Sequence, residues 1–366
     1  MNDLKPDKCV HKVLLTSRAR FVGEYVDPKI LLTHAWELGP DAYRDFAGGP
    51  SSQTFFVAAF RTEPIDEDNP PAVLPDYRFF GEFLAIHFSI LFRKHFQSLG
   101  LLESHGYFYL PSELYLRPTS LFFLPPFNQT PRRCLGTPLD LSEIRRIQSL
   151  FDQSSIESDV GRMLFTAARF YSRALTEMED QPELAYLDLV SCGEVISNGR
   201  AVSNDALYDD ELKQIFRRIE NEVTDGDQMV STIKSRLYQV RRRFALTIKG
   251  LLDDYFFSHH EAINQSVALK LDSTEDALKA AYDLRSRYVH TGVRFGTCVM
   301  PHRTMLSEIQ LGEPVLDDTE LKKALIKAPN LLGMERIMRY ALLKVSMEAG
   351  AVLQDLFEEK QAEQGS

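Results

Sequence analysis

The sequence contains no Cys-X-X-Cys pair, and its four cysteines, Cys9, Cys134, Cys192 and Cys298, lie far apart. That spacing gives no zinc signature and no disulfide framework, and it fits a reducing cytoplasmic setting. Long apolar runs are also missing. The most apolar stretch, Phe79 to Phe92, carries Glu82 and His87 and is too short to span a bilayer, so a buried core helix is expected there and no membrane contact. The first residues, MNDLKPDKCVHK, hold no apolar h-region, which predicts no signal peptide. Basic charge is in deficit, with 42 Lys and Arg against 52 Asp and Glu and a formal charge of −10. A general electrostatic attraction to nucleic acid is thereby excluded, and any nucleic-acid contact must rest on a local basic cleft. Residues 1–150 contain no glycine-rich phosphate loop and no nucleophile elbow, and the chain shows no internal repeat.

Hydrophobic residues are plentiful, at 44% of a 366-residue chain with 24 Phe and 14 Tyr, enough for a sizeable core and two or three domains. In residues 1–150, Lys12–Val26 and Thr54–Arg61 are rich in β-branched and aromatic residues and predict strands, and Gly106–Leu124 has similar aromatic runs broken by prolines. A turn is expected at Gly48–Ser52, an acidic, proline-rich loop over Thr62–Asp76 and a helix from about Tyr77 to Leu99. Residues 1–150 thus predict a small α+β domain. From Leu139 onward the helical period dominates. Helices are expected over Ser142–Phe151, Ile156–Met178, Pro182–Asn198, Leu212–Val223 and Met229–Tyr255, with a last one from about Leu332 to Glu359. Residues 151–360 therefore predict an all-α antiparallel bundle.

The segment on which function turns is Ala280 to Gly292, AAYDLRSRYVHTG. It predicts the last three turns of a helix capped by Asp272, Ser273 or Thr274 and stopped by Gly292. Leu278, Tyr282, Arg285 and Val289 fall at spacings of four, three and four, so Arg285 is placed on the apolar stripe, where it must be paired or face a cleft. His290 stands five residues further, about 140° around an ideal helix, so only a frayed last turn would swing it toward the side Arg285 faces. From spacing alone, Arg285 as a core ion pair and His290 as a C-terminal cap is the simpler account. Glu194, inside the apolar Leu187–Ile196 run, is a candidate partner. His34, His87, His95 and His105 are widely spaced and expected to serve packing or the surface. His259-His260 and the Cys298/His302 spacing lack the second pair a metal site needs, so neither metal nor cofactor is expected.

This segment, with the helices around it, resembles the HEPN superfamily, and within it the ApeA-like HEPN domains of bacteria. The resemblance covers roughly residues 155–358. It rests on Arg285, Ser286 and His290, with four residues between the Arg and the His, and on the helices of Phe165–Ser197 with their acidic Glu194. It implies an all-α HEPN-like bundle behind the α+β domain, and a metal-independent endoribonuclease of defence or toxin type that acts as a homodimer. RNA carries its own nucleophile, the 2′-hydroxyl, so such an enzyme needs proton transfer near neutral pH and positive charge at the phosphate. Arg285 is then the phosphate-binding group, His290 the proton-transfer group, and Ser286 and Glu194 the orienting groups. Arg287, Tyr288, Arg241 and Arg242 are the candidate RNA contacts, although Tyr288 has a packing role as its simpler account and the Arg241–Arg243 and Arg217-Arg218 runs have a solvated face as theirs. The resemblance further implies RNA, possibly tRNA, as substrate and a trigger sensed by residues 1–150. A non-catalytic HEPN module that dimerises or binds RNA or nucleotide is the competing expectation.

Overall fold

The computed structural model describes residues 7–35, 54–65, 75–109, 124–179, 181–202, 207–236, 239–301 and 305–357. The N-terminal part is an antiparallel sheet of β1 (Val10–Ser17), β2 (Tyr25–Val26), β3 (Ile30–His34), β4 (Thr54–Arg61), β5 (Phe96–Ser104) and β6 (Tyr107–Phe108), in the order β2-β3-β4-β1-β5-β6. β1 lies in the middle and pairs with β4 in unbroken register, Val13 opposite Ala58 and Leu15 opposite Phe56. Helix α1 (Arg78–Phe92) packs on β1 and β5 and is buried over most of its length.

The expected helix to Leu99 stops seven residues early. Arg93 adopts a left-handed conformation at φ 58, and the chain turns back as β5. Such a φ is unusual for an arginine, and the side chain shows why it is tolerated here: Arg93 is buried and donates to Glu261 at 2.9 Å. The strand expected over Lys12–Val26 is two strands, and β3 was not expected at all. The segments at 48–52 and 110–123, and most of the 62–76 loop, lie outside the described residues.

The C-terminal part is mostly helical. An eleven-residue 3-10 helix (Leu141–Phe151) leads into α2 (Gln153–Glu157), α3 (Asp159–Glu177) and α4 (Pro182–Asn198), the last beginning at the proline that predicted it. Next come α5 (Asp210–Glu222), α6 (Gly226–Arg236), α7 (Val240–Leu251), α8 (Asp254–Ser258), α9 (Leu271–Thr291), α10 (Thr319–Lys327) and α11 (Leu331–Glu348). The stripe expected to run unbroken from Met229 to Tyr255 is divided among α6, α7 and α8. Val230 packs in a small separate core with Tyr208 and Phe216, with Ile233 against it, whereas Phe244 and Ile248 join the main core. The last helix ends at Glu348, not near 359, because Gly350 at φ 102 turns the chain back so that Val352 bonds Arg146.

One hydrophobic core runs from β1 through α1, α3, α4, α7 and α9 to α11, crossing residue 150 without a break. Ion pairs cross the same line. Arg132, fully buried, holds Glu261 through Nε at 2.7 Å and Glu335 through Nη2 at 2.7 Å, and the Tyr171 hydroxyl donates to Glu335 at 2.6 Å. Burial alone would raise the Glu261 carboxyl, but Arg132 and Arg93 hold it below the ordinary carboxylate range.

Removing one partner of such a pair leaves an uncompensated buried charge, a loss of about 3–5 kcal/mol. Glu261→Ala is therefore expected to lower unfolding free energy by that amount in urea titration. Arg200→Ala, which breaks the more exposed pair with Glu348, should cost less than about 1 kcal/mol. Acid should weaken the fold earlier than its carboxylates alone require. Burial pushes the His87 imidazole down to about 4, and burial together with His105 does the same for His11. A histidine held neutral in the fold contributes stability that is complete above its ordinary 6.5 and lost as pH falls toward 4. The urea midpoint is expected to drop across that window, and His87→Leu should flatten the slope.

Candidate functional site

The helix expected around the Arg–His segment is α9, Leu271–Thr291. Its ala-rich centre favours helix, and its buried side is Thr274, Ala277, Leu278, Ala281 and Leu284. The predicted cap is corrected: Lys270 is the N-cap, without a side-chain bond, and Thr274 instead bonds back to the Lys270 carbonyl at 2.6 Å. The predicted stop holds, with Gly292 at φ 69 and its N–H on the Tyr288 carbonyl. Helix continues through His290, so the last turn is intact and not frayed. Arg285 also sits differently from expectation. It stands at the margin of the buried stripe, its side chain about a quarter exposed at 27%.

Arg285 and His290 accordingly face different surroundings. The Arg285 Nη2 lies 3.3 Å from Glu194 Oε2 on α4, and its guanidinium is 6.0 Å from the centre of the Tyr282 ring. Burial, the Glu194 charge and a hydrogen bond to Glu194 all push the Tyr282 hydroxyl pKa up. Arg285, Glu194 and Tyr282 thus close a small polar cluster at the contact of α4 with α9.

His290, exposed in the last turn of α9, opens instead onto a groove of about 480 Å³ between α7, α9 and α10. Ser286, one turn before it, lines the same groove. So do five cations, Arg241, Lys279, Arg287, Lys323 and Lys327, set against three carboxylates, Asp276, Asp283 and Glu320. On a chain of charge −10 the lining carries a small positive excess, with four of its five cations ion-paired. Its cations are held in place. Arg241 Nη2 reaches Asp283 at 2.5 Å, and Lys323 pairs with Glu320 at 2.8 Å. Arg287 pairs with Asp318, the residue whose side chain also caps α10 by accepting from the Glu320 and Leu321 N–H groups. The Leu321 N–H first, and Arg287 with it, hold the Asp318 carboxyl below its ordinary pKa.

Of the expected site residues, the fold therefore gathers His290, Ser286, Arg287 and Arg241 in one groove and places Arg285 with Glu194 outside it. Tyr288 is half-buried, its ring edge-on to Phe295 at 5.9 Å, which is the packing role. Arg242 does not line the groove, and its Nε is buried without a hydrogen-bond partner. Arg217 and Arg218 are on the α5–α6 hairpin, outside the groove. Lys279 was passed over on the expected helix α9, and Lys323 and Lys327 were not anticipated, because α10 was not. Its signal is present in the sequence: Asp318-Thr319-Glu320 form a helix start, and Leu321, Ala324 and Leu325 recur at helical spacing with lysines between. Among the described residues, no three His, Cys, Asp or Glu side chains are grouped to hold a metal ion, and His302 lies outside those residues.

No family model, curated protein or solved structure matches this chain.

Asp318 carries both the α10 cap and the Arg287 pair, so one substitution tests how the groove wall is held. Asp318→Ala is expected to cost about 1–2 kcal/mol, the scale of a lost cap, and to speed amide exchange across Thr319–Lys327 while leaving α4 unchanged. Equal protection of α10 in the variant would show that the wall is held by its apolar contacts.

Proposed function

We propose that the protein is a metal-independent endoribonuclease of the HEPN type, whose RNA lies in the groove between α7, α9 and α10. The observation that carries this reading is the exposed His290 with Ser286 on a cleft lined by five cations against three carboxylates, in a chain of net charge −10. Phosphates need such a local field to approach a chain of this charge. An imidazole titrating near neutral pH can take the proton of a 2′-hydroxyl or return one to a leaving 5′-oxygen. The 2′-oxygen attacks phosphorus, the bond to the 5′-oxygen breaks, and a 2′,3′-cyclic phosphate remains. Both proton transfers need a group, and one helix end presents one histidine, so the reading includes a dimer in which two α9 ends meet. Residues 1–150 then serve to sense a trigger or to restrain the nuclease.

A second reading has its own observation. Arg285 is tied to Glu194 and turned away from His290, as a structural ion pair would be. That favours a non-catalytic HEPN module that dimerises or binds RNA.

The test is cleavage of total bacterial RNA in EDTA by the wild type and by His290→Ala. His290 is exposed, so the variant keeps its fold. The enzyme reading expects cyclic-phosphate ends from the wild type and a loss of rate of about 10²–10⁴-fold in the variant, the scale of a general acid or base. Cleavage at an undiminished rate by His290→Ala would overturn the assignment. Binding without cleavage by either protein, weakened by Lys323→Glu with Lys327→Glu, would establish the module.

A further inference from the structure

A second cleft lies on another face, between α1, the start of β5 and α3. It measures about 520 Å³, the size class that holds small-molecule ligands. Its walls come from both parts of the chain, α1 and β5 on one side and α3 on the other.

Thr166, Arg169, Arg173 and Thr176 line it from α3 at spacings of three, four and three, so they form one face of that helix. Two arginines four residues apart repel each other in an isolated helix, so their juxtaposition asks for a counter-charge. Arg173 has one: it directs its Nε and Nη2 to Asp188 on α4, a buried carboxylate that fixes the guanidinium plane. Two of its N–H donors are engaged there, and the remainder of the five a guanidinium carries are left for a further acceptor. Arg169 makes no ion pair among the described residues; its guanidinium rests 5.9 Å from the Phe165 ring. Among the described residues the one carboxylate lining the cleft is Glu82, on α1.

The remaining lining suits a ligand with a polar head and a carbon body. Ser98, Thr166, Ser172 and Thr176 supply hydroxyls, while Ile86 and Phe170 supply an apolar side. His95 hydrogen-bonds Thr176 Oγ1 at 2.9 Å. Burial and then the Arg18 charge push its imidazole down to about 4, so it is a neutral hydrogen-bonding group at pH 7.

We propose that this cleft binds a small phosphate-bearing molecule, its phosphate held by Arg169 and Arg173 and its carbon body laid against Phe170 and Ile86. A guanidinium fork matches phosphate oxygens two at a time, and a second arginine one helical turn away completes the hold on a dianion. The carboxylate of Asp188 positions Arg173 without neutralising Arg169. A ligand seated there would touch α1, β5 and α3 together and so join the sheet to the bundle. The inference stands apart from the nuclease reading, since it concerns other residues and is measured by binding alone.

The experiment is calorimetric titration of the full chain with inorganic phosphate, AMP and citrate. Phosphate is expected to bind saturably and AMP at least tenfold more tightly, because only AMP reaches the apolar side. Arg169→Gln should weaken both about tenfold or more, the scale of a lost charge-assisted hydrogen bond. Arg162→Gln, on the same helix but outside the cleft, should leave both unchanged. Absence of saturable binding by phosphate and AMP, or the same affinities in Arg169→Gln, would overturn the proposal. Citrate binding as tightly as AMP would also overturn it, since the cleft would then recognise carboxylates.

Discussion

The ion cluster around Arg132 is the constraint on which the rest of the molecule depends. Glu261 follows α8, Glu335 lies on α11 and Arg93 ends α1, and one buried guanidinium from the 124–139 segment meets the first two while the third shares Glu261. Each of these charges would be intolerable alone in the interior, and none can move without exposing another to a medium that solvates it poorly. The cluster therefore fixes where α1 stops, where α11 lies and how the sheet stands against the bundle. A second pair extends it. Glu308 accepts from the Glu261 and Leu269 N–H groups and from Arg336, which lies 3.7 Å over the Phe256 ring. Arg339, one turn further along α11, is buried with no hydrogen-bond partner for its guanidinium among the described residues.

This constraint also marks the border between what could and could not be read in the residues. Local chemistry was legible. Pro182 starts α4, Gly292 ends α9, and the β-branched and aromatic run Thr54–Arg61 is a strand, because each of those outcomes is decided by a few neighbouring side chains. The stop of α1 was not legible. Phe79 to Leu99 has no proline, and its one glycine, Gly81, sits inside α1; Arg93, where the chain reverses, pairs with a carboxylate 168 positions away. The charged residues of α11 were not legible either. Glu335 and Arg336 would suit the solvent side of an amphipathic helix, yet both are fully buried, because their partners Arg132 and Glu308 come from elsewhere in the fold.

The same distinction holds at the groove. His290 and Ser286 stand out in one sequence segment, and Arg241 and Arg287 belong to visible basic runs. The walls that turn them into a cleft come from α10, whose placement depends on Asp318 serving as both a cap and an ion-pair partner. Arg285 shows the converse. It was legible as an arginine in need of a partner, and Glu194 was legible as that partner. Their meeting is what takes Arg285 out of the groove.

That separation bears directly on how an Arg–His segment of this spacing can work. Five residues of regular helix rotate a side chain by about 140°, and the intact last turn of α9 keeps that rotation. Within one copy of the chain the two groups therefore face different surroundings, Arg285 toward Glu194 and His290 toward the groove. In the proposed dimer, each α9 would offer His290 from its end to the neighbouring copy. A composite site of that kind asks only that Arg285 exchange Glu194 for a phosphate. The exchange is physically mild. The pair is partly exposed and held at 3.3 Å, so it is far weaker than the buried forks around Arg132. The molecule thus keeps its fully buried charge pairs for architecture, while a partly exposed one ties α4 to the helix that carries His290.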